Sequence, residues 1–317
     1  MTQAPGRSHP WPIRAAGIAL AVAATVSIVF SMRSNWGAVR ALTWSPALAF
    51  AMAEHVALTA ATTVNTAAVW TLLLPAGALS PRDAYRIVAK TQLLKYAFGN
   101  VFHFVGRAHL ARLAGITGGR LALSLVLEVA TVLAAACLLA VPGLVLLGPA
   151  AFGLGQHGVP SGRLILSAVA GLLLVGIGAG WTSAGRRVVA TALEHRTGVV
   201  IGAATNSVIF IATGVLIHAA LEAGWPHGGD VPVWKLTSGF CLAWVLGYLT
   251  PGAPGGIGIR EGVFLLLLGP ELGGGVAVAI AVLFRLSSIS GEILGYLSTF
   301  VMAPAPRTVP PHLSGAE

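Results

Sequence analysis

The chain has 317 residues, of which 56% are apolar and only 9% are charged, and its mean hydropathy is +0.84. Because soluble domains carry about 25% charged residues, this composition excludes an ordinary soluble protein and predicts an all-α helical bundle integral to a membrane. The net charge of +9 does not indicate nucleic-acid binding, since no basic helix is interleaved with aromatic residues.

Apolar runs predict about eight transmembrane segments, some of them broken or re-entrant, in a single transmembrane domain over residues 12–302. A cytoplasmic tail at 1–11 and a disordered tail at 303–317 flank this domain. The first run is expected to be a retained helix, because no clear small-residue cleavage site follows it. The predicted spans are 12–31, 45–74, 121–147, 164–183, 199–221, 235–250, 259–270 and 276–302.

Lys and Arg residues are unevenly distributed between the two sides of this topology. With the N-terminus inside, both tails, the segment 82–120 and the loop after the fourth span are basic and cytoplasmic. Few basic residues fall outside, namely Arg33, Arg40, Arg163 and Lys235. The positive-inside rule therefore predicts a multi-pass membrane protein with both termini in the cytoplasm. The membrane is expected to be a bacterial-type cytoplasmic (inner) membrane.

Residues 76–120 are predicted to form an amphipathic or re-entrant segment on the cytoplasmic side. Ser80 is a candidate N-cap, Pro81 occupies the first helical position, and Asp83 lies in the first turn. The helix that follows is amphipathic and basic, which suits a membrane interface. The next stretch, "FGNVFHFVGRAHLARLAG", becomes apolar and aromatic around Arg107.

Two prolines and six glycines interrupt the apolar sequence at 247–262, "GYLTPGAPGGIGIREG". A helix broken inside a bilayer survives only where protein buries the break or a wet cavity lies beside it. We expect a turn here, followed by a helix whose N-terminus and Arg260 bind a headgroup phosphate. Glu261 would orient Arg260 or pair with another basic residue. The alternative is a tight inter-helix turn with a snorkelling arginine.

The two broken regions resemble each other. Tyr96 precedes Arg107 by 11 residues and Tyr248 precedes Arg260 by 12, with glycines between them in both cases. This pattern predicts a degenerate internal repeat of the kind found in transporters, with chance similarity in a glycine-rich sequence as the alternative.

The last span carries Arg285, Ser288 and Glu292 on one helical face. Arg285 and Glu292 either pair with each other or with neighbouring helices, or they join a basic cavity that contains Arg107 and Arg260. The counter-charges of such a cavity would be Glu128, Glu261 and Glu292. Glu54 in the second span is either a proton relay or a partner of an arginine.

Catalytic and metal-binding patterns are absent from the sequence. His103 and His109 flank Arg107 without a third ligand nearby, so no metal site is expected. No nucleophile–base arrangement or nucleotide-binding loop is present, and we expect neither an enzyme nor a cofactor.

Two of these stretches, "PGGIGIREG" and "KYAFGNVFHFVGRAHLARLAGI", resemble signatures of the lysylphosphatidylglycerol synthase/flippase transmembrane family. The resemblance covers roughly residues 10–300 and implies about eight helices with re-entrant elements. It also implies a role in moving aminoacylated or other lipids across the cytoplasmic membrane. Bifunctional members carry a C-terminal aminoacyl-transferase domain, which is not expected here. The third span departs from the family pattern, because Glu128 is followed by Val129 and Thr131 stands at the acidic position.

The leading hypothesis is a flippase-like translocase of an anionic or zwitterionic phospholipid or a polyprenyl-phosphate-linked lipid. The alternatives are a non-catalytic membrane partner of a glycosyltransferase or lipid-modifying enzyme, and a membrane transferase acting on a lipid phosphate. Membrane lipids are the expected partners, together with a glycosyltransferase or lipid synthase in the second case. The predicted substrate-binding residues are Tyr96, Asn100, His103, Arg107, Glu128, Gly255, Gly256, Gly258, Arg260, Glu261, Arg285 and Glu292.

Overall fold

A computed structural model of the chain describes residues 33, 37, 42–98, 100–116, 118–147, 182–225, 230–250, 254–256 and 258–302. The predicted tails at 1–11 and 303–317, the span at 12–31 and all but the last two residues of the span at 164–183 lie outside this part of the chain. All regular structure within it is helical. In chain order the helices are α1 (Pro46–Leu72), α2 (Pro81–Gln92), α3 (Leu94–Phe98), α4 (Phe102–Leu113), α5 (Gly118–Leu147), α6 (Ser183–Glu194), α7 (Arg196–Gly224), α8 (Val233–Leu249), α9 (Ile259–Leu272) and α10 (Gly274–Val301).

Four of these helices, α1, α5, α7 and α10, are long and apolar enough to cross a membrane. This confirms the predicted helical membrane protein, because a helix satisfies its own backbone polar groups where lipid offers no partner. The shorter helices α8 and α9 occupy the sixth and seventh predicted spans, and Pro254–Gly256 forms a short 3-10 turn between them.

Five helices form a ring in the order α1, α7, α8, α9 and α10, with α10 packed back on α1. Helix α5 packs outside this ring against α7 and α8. Helices α1 and α7 run antiparallel, because Ser45 contacts the carbonyl of Ala223 at one end and His195 contacts the carbonyl of Leu72 at the other. The ring encloses the cavities described below.

Small residues allow the ring helices to approach closely. A Cβ atom added at Gly291 of α10 would lie 2.5 Å from the carbonyl oxygen of Val56 on α1. One added at Gly214 of α7 would lie 1.9 Å from the hydroxyl of Thr237 on α8. Backbone contact of this kind is a common way for helices to associate within a membrane, where the hydrophobic effect does not drive association.

Helices α2, α3 and α4 form a hairpin that enters the bundle and turns back. Ser80 caps α2 by accepting a hydrogen bond from the Asp83 amide, as the sequence predicts. Near the start of α2, the Tyr85 hydroxyl lies 2.6 Å from Ser298, close to the end of α10. Further along the hairpin, Lys95 of α3 forms an ion pair with Glu292, nine residues before the end of α10. At 1.5 Å per residue the hairpin therefore penetrates about 14 Å along α10.

The return of the hairpin is visible in its packing. Ala111 near the end of α4 and Ile116 pack with Trp70 and Leu74 at the end of α1. The chain thus comes back to the end of the bundle from which it entered. We call this hairpin, residues 81–113, the re-entrant hairpin.

Positive charge collects at that same end of the bundle. Helices α1 and α10 end there and α5 and α7 begin there, and the side chains at this end include Arg82, Arg86, Arg112, Arg120, Arg186, Arg187 and Arg196. We call this end the basic face. The opposite face carries Glu222, Asp230, Lys235 and Glu271, and Lys235 there joins the start of α8 to the end of α9 through an ion pair with Glu271.

Candidate functional site

Two adjoining cavities lie inside the helix ring. The larger is bounded by α1, α5, α7, α8, α10, the start of α9 and the re-entrant hairpin, and its empty space is about 1150 Å³ with the open solvent at its mouth included. The smaller, about 580 Å³, lies toward the opposite face and is bounded largely by apolar side chains. Five residues line both cavities and so form the boundary between them: Tyr96, Phe240, Trp244, Arg260 and Ser288.

The glycine-rich break forms a slot for Arg260. A Cβ atom added at Gly247 would lie 2.4 Å from Cγ of Arg260, and one added at Gly256 would lie 2.8 Å from its Nε. Gly255 and Gly256 have φ of 59° and 73°, a region that L side chains avoid. These glycines therefore turn the chain and leave room for the arginine side chain.

Glu261 closes the N-terminus of α9. Its Oε2 accepts a hydrogen bond of 2.7 Å from the Gly258 amide, and its Oε1 accepts one of 2.6 Å from Arg285 Nη1. Arg285 also donates to the Gly255 carbonyl at 3.0 Å. Of the two roles predicted for Glu261, pairing with another basic residue is the one seen. The Gly258 amide already donates its hydrogen bond to Glu261, so it is not free to bind an anion. Arg260 has no such carboxylate partner among the described residues.

Two further ion pairs hold the walls of the larger cavity together. Lys95 at the tip of the re-entrant hairpin pairs with Glu292 of α10 at 2.5 Å, and the exposed fractions of these side chains are 19% and 7%. Arg107 of α4 pairs with Glu128 of α5 and lies over the Trp70 ring. Each pair joins the hairpin to a long helix.

The charges around the two cavities do not balance. Among the described residues that line them, four cations face three carboxylates, an excess of one positive charge: Lys95, Arg107, Arg260 and Arg285 against Glu128, Glu261 and Glu292. Arg260 has no carboxylate within ion-pair distance in the described part of the chain, and its guanidinium lies 5.4 Å from the Trp244 ring centre. Its Nε is buried without a hydrogen-bond partner among these residues.

Other buried polar atoms of the larger cavity are likewise unsatisfied within the described protein. They are Nδ1 of His55, Oε1 of Gln92, Nδ1 of His103, Nε of Arg107 and Oε2 of Glu292. Buried polar groups normally find partners, so several unsatisfied ones around a single cavity indicate a site for water or a polar ligand.

The two broken regions contact each other directly. The Asn100 side-chain amide donates to the carbonyls of Gly247 and Tyr248 at 3.0 Å each, where α8 ends. A Cβ atom added at Gly255 would lie 2.6 Å from the Tyr96 ring. The segments predicted to form a repeat therefore meet at the cavity, with Arg107 and Arg260 on its wall.

The structure brings most of the predicted site residues together. Seven line the larger cavity: Tyr96, Asn100, His103, Arg107, Glu128, Arg260 and Glu292. Gly255, Glu261 and Arg285 line the smaller one, whereas Gly256 and Gly258 line neither and shape the turn behind Arg260. Arg285 and Glu292 do not pair with each other, because each finds a partner on a neighbouring element. Glu54 lies on the exposed side of α1, away from both cavities.

Sequence reasoning missed several residues of the site. Lys95 belongs to the basic segment 82–120 that is predicted to be cytoplasmic, and no sequence pattern points to Trp244. A sequence pattern does mark the side of α1 that lines the larger cavity. His55, Thr59, Thr62 and Thr66 follow one another at spacings of four, three and four in an otherwise apolar helix.

Comparisons with models of protein families, with curated proteins and with solved structures give no match. The family resemblance carried by the two motifs stays a prediction. In the part of the chain that the structure describes, no three His, Cys, Asp or Glu side chains are grouped so that they could hold a metal ion.

Proposed function

We propose that this protein is a flippase-like lipid translocase, which binds the phosphate of a lipid headgroup at Arg260. The observation that carries the proposal is a half-buried arginine, with a buried and unpartnered Nε and no carboxylate partner among the described residues, placed where a more polar and a more apolar cavity meet inside a membrane bundle. A guanidinium binds phosphate through paired, charge-assisted hydrogen bonds. Charged groups inside membrane proteins commonly mark substrate pathways.

The two cavities match the two parts of an amphiphile. Amide, hydroxyl and charged side chains bound the larger cavity, which suits a headgroup. Ile217, Phe264, Ile280 and Phe284 bound much of the smaller one, beside the Glu261–Arg285 ion pair, and this apolar part suits the first part of an acyl or polyprenyl chain. A ligand phosphate at Arg260 would lie where the two cavities meet. The proposed substrates are anionic or zwitterionic phospholipids and polyprenyl-phosphate-linked lipids.

The proposed orientation follows from the basic face. Arginines collect at the end of the bundle that the re-entrant hairpin enters, and the acidic residues Glu222, Asp230 and Glu271 lie at the opposite end. Under the positive-inside rule the basic face is cytoplasmic, in a bacterial-type inner membrane. The same charges would attract anionic lipid to the mouth of the hairpin.

The deciding experiment is native mass spectrometry of the full chain purified in mild detergent. Wild type is compared with Arg260→Gln and with Arg187→Gln, which removes an exposed arginine of the basic face. We expect wild type and Arg187→Gln to retain a discrete phosphate-bearing lipid and Arg260→Gln to lose it. Equal, unselective lipid on all three proteins would contradict the headgroup site and favour a non-catalytic membrane partner of another enzyme.

Transport is tested separately with the same variants in proteoliposomes that contain a fluorescent phospholipid. A membrane-impermeant quencher reports how fast label leaves the protected leaflet. Arg260→Gln is expected to slow this exchange about ten- to a hundredfold, since it removes charge-assisted hydrogen bonds of about 1.5–3 kcal/mol. Chemical conversion of the lipid during the assay would favour a transferase instead.

A further inference from the structure

One wall of the larger cavity is polar but carries no charge. It is formed by Thr59, Thr62, Asn65 and Thr66 of α1 and by Asn206 of α7, and we call these five residues the neutral wall. The charged residues of the same cavity come from other elements: Lys95, Arg107, Glu128, Arg260 and Glu292. A headgroup in this cavity would therefore meet charge from one set of helices and neutral polar groups from another.

The hydrogen bonds of the neutral wall leave part of its capacity free. Thr59 and Thr62 donate their hydroxyl protons to carbonyls of their own helix, those of His55 and Thr59 respectively. Each hydroxyl oxygen can still accept hydrogen bonds. The Asn65 amide nitrogen donates to Asn206 Oδ1 at 3.2 Å, which leaves the Asn65 carbonyl oxygen and the Asn206 amide nitrogen available to a ligand.

Such a mixture of neutral donors and acceptors matches hydroxyl groups, which both donate and accept. A headgroup amine would gain more from a carboxylate and a headgroup carboxylate more from a cation, and the neutral wall has neither. We infer that the neutral wall binds a neutral polyhydroxylated group, such as a sugar or a cyclic polyol, that is joined to the phosphate held by Arg260. The inference rests on the proposed function and narrows its substrate class.

A purely structural role for these residues is the competing explanation. The Asn65–Asn206 hydrogen bond joins α1 to α7, and bonds of this type stabilise helix pairs in membranes. Thr62 and Thr66 are better probes, because they line the cavity and lie outside that pair. Valine has nearly the shape of threonine, so Thr62→Val/Thr66→Val removes hydroxyls with little change in side-chain shape.

The test measures binding of two short-chain lipids to the detergent-purified full chain. Dihexanoyl phosphatidylinositol and dihexanoyl phosphatidic acid share acyl chains and phosphate and differ in the inositol group. We expect wild type to bind the inositol lipid about tenfold more tightly, which is what two or three neutral hydrogen bonds supply. Phosphatidic acid carries the greater negative charge, so a purely electrostatic site would show the reverse preference.

The variants separate this inference from the proposed function. Thr62→Val/Thr66→Val is expected to weaken the inositol lipid about tenfold and to leave phosphatidic acid unchanged, whereas Arg260→Gln weakens both. Equal affinity of wild type for the two lipids, or an equal effect of the double variant on both, would overturn the neutral-wall site and leave Arg260 binding intact. If wild type bound neither lipid, the headgroup proposal and this inference would fail together.

Discussion

Substituting Gly256 by alanine tests whether the glycine-rich break exists to place Arg260. The added Cβ would lie 2.8 Å from Nε of Arg260 and 2.8 Å from the carbonyl oxygen of Gly247, so the arginine would be forced out of its slot. Gly256 also has φ of 73°, where an L side chain adds about 1–2 kcal/mol of backbone strain. Overpacking adds about 1–3 kcal/mol, so we expect the variant to be destabilised by about 2–5 kcal/mol.

Gly258→Ala is the matched control. Gly258 has φ of 82°, so alanine is strained there too, but a Cβ at this position meets nothing within 4 Å. Both variants therefore carry backbone strain, and only Gly256→Ala displaces Arg260. This difference separates a role of the glycines in turning the chain from a role in holding the arginine.

The assay combines a thermal unfolding curve in detergent with native mass spectrometry below the midpoint of each variant. Gly256→Ala is expected to lose the phosphate-bearing lipid by about ten- to a hundredfold while still folded, and Gly258→Ala to keep it. Equal lipid retention by the two folded variants would refute the slot argument. Equal loss would show that the turn, and not the room beside Arg260, controls binding.

Three further changes probe the re-entrant hairpin. Lys95→Met leaves Glu292 buried without its cation and should lower the free energy of unfolding by about 3–5 kcal/mol. Lys95→Met/Glu292→Gln should recover most of this loss in thermal unfolding, and no recovery would contradict the ion pair. Asn100→Ala removes two hydrogen bonds to α8, so hydrogen exchange over residues 94–113 should become faster, and unchanged exchange would place the hairpin tip elsewhere. Ser80→Ala removes the α2 cap and should lower the free energy of unfolding by about 1 kcal/mol without altering lipid retention. A loss of lipid in this variant would contradict a purely local role of the cap.

Helices α1, α5, α7 and α10 could be predicted from sequence because each is an apolar run long enough to be recognised by composition alone. The start of α2 was equally clear, since Ser80, Pro81 and Asp83 form a local helix-start pattern that needs no tertiary contact. The break at 247–262 was located for a similar reason, because proline and glycine act on the backbone directly. These features depend on neighbours within a few residues.

The pairing of charges could not be predicted, because it depends on which helices become neighbours. Lys95 lies in an amphipathic stretch that looks interfacial, and only the entry of the re-entrant hairpin into the bundle brings it to Glu292, 197 residues away. Arg107 and Glu128 are 21 residues apart but lie on separate helices, so their pairing also depends on packing. The sequence predicts that Arg107, Arg260 and Arg285 share a cavity. It contains no pattern that shows which of the three would lack a carboxylate partner.

The ion pairs and hydrogen bonds around the glycine-rich break suggest what the break does in the structure. A fully paired set of buried charges would bind helices together and offer nothing to a ligand, while an unpaired charge is costly unless something else stabilises it. Here Glu261 is bound to Gly258 and Arg285, and so Arg260, the residue beside it, is left with the face of Trp244. An unbroken helix would lack the glycine slot and the amide that engages Glu261. The break thus leaves Arg260 without a carboxylate partner among the described residues, at the boundary between the larger and the smaller cavity.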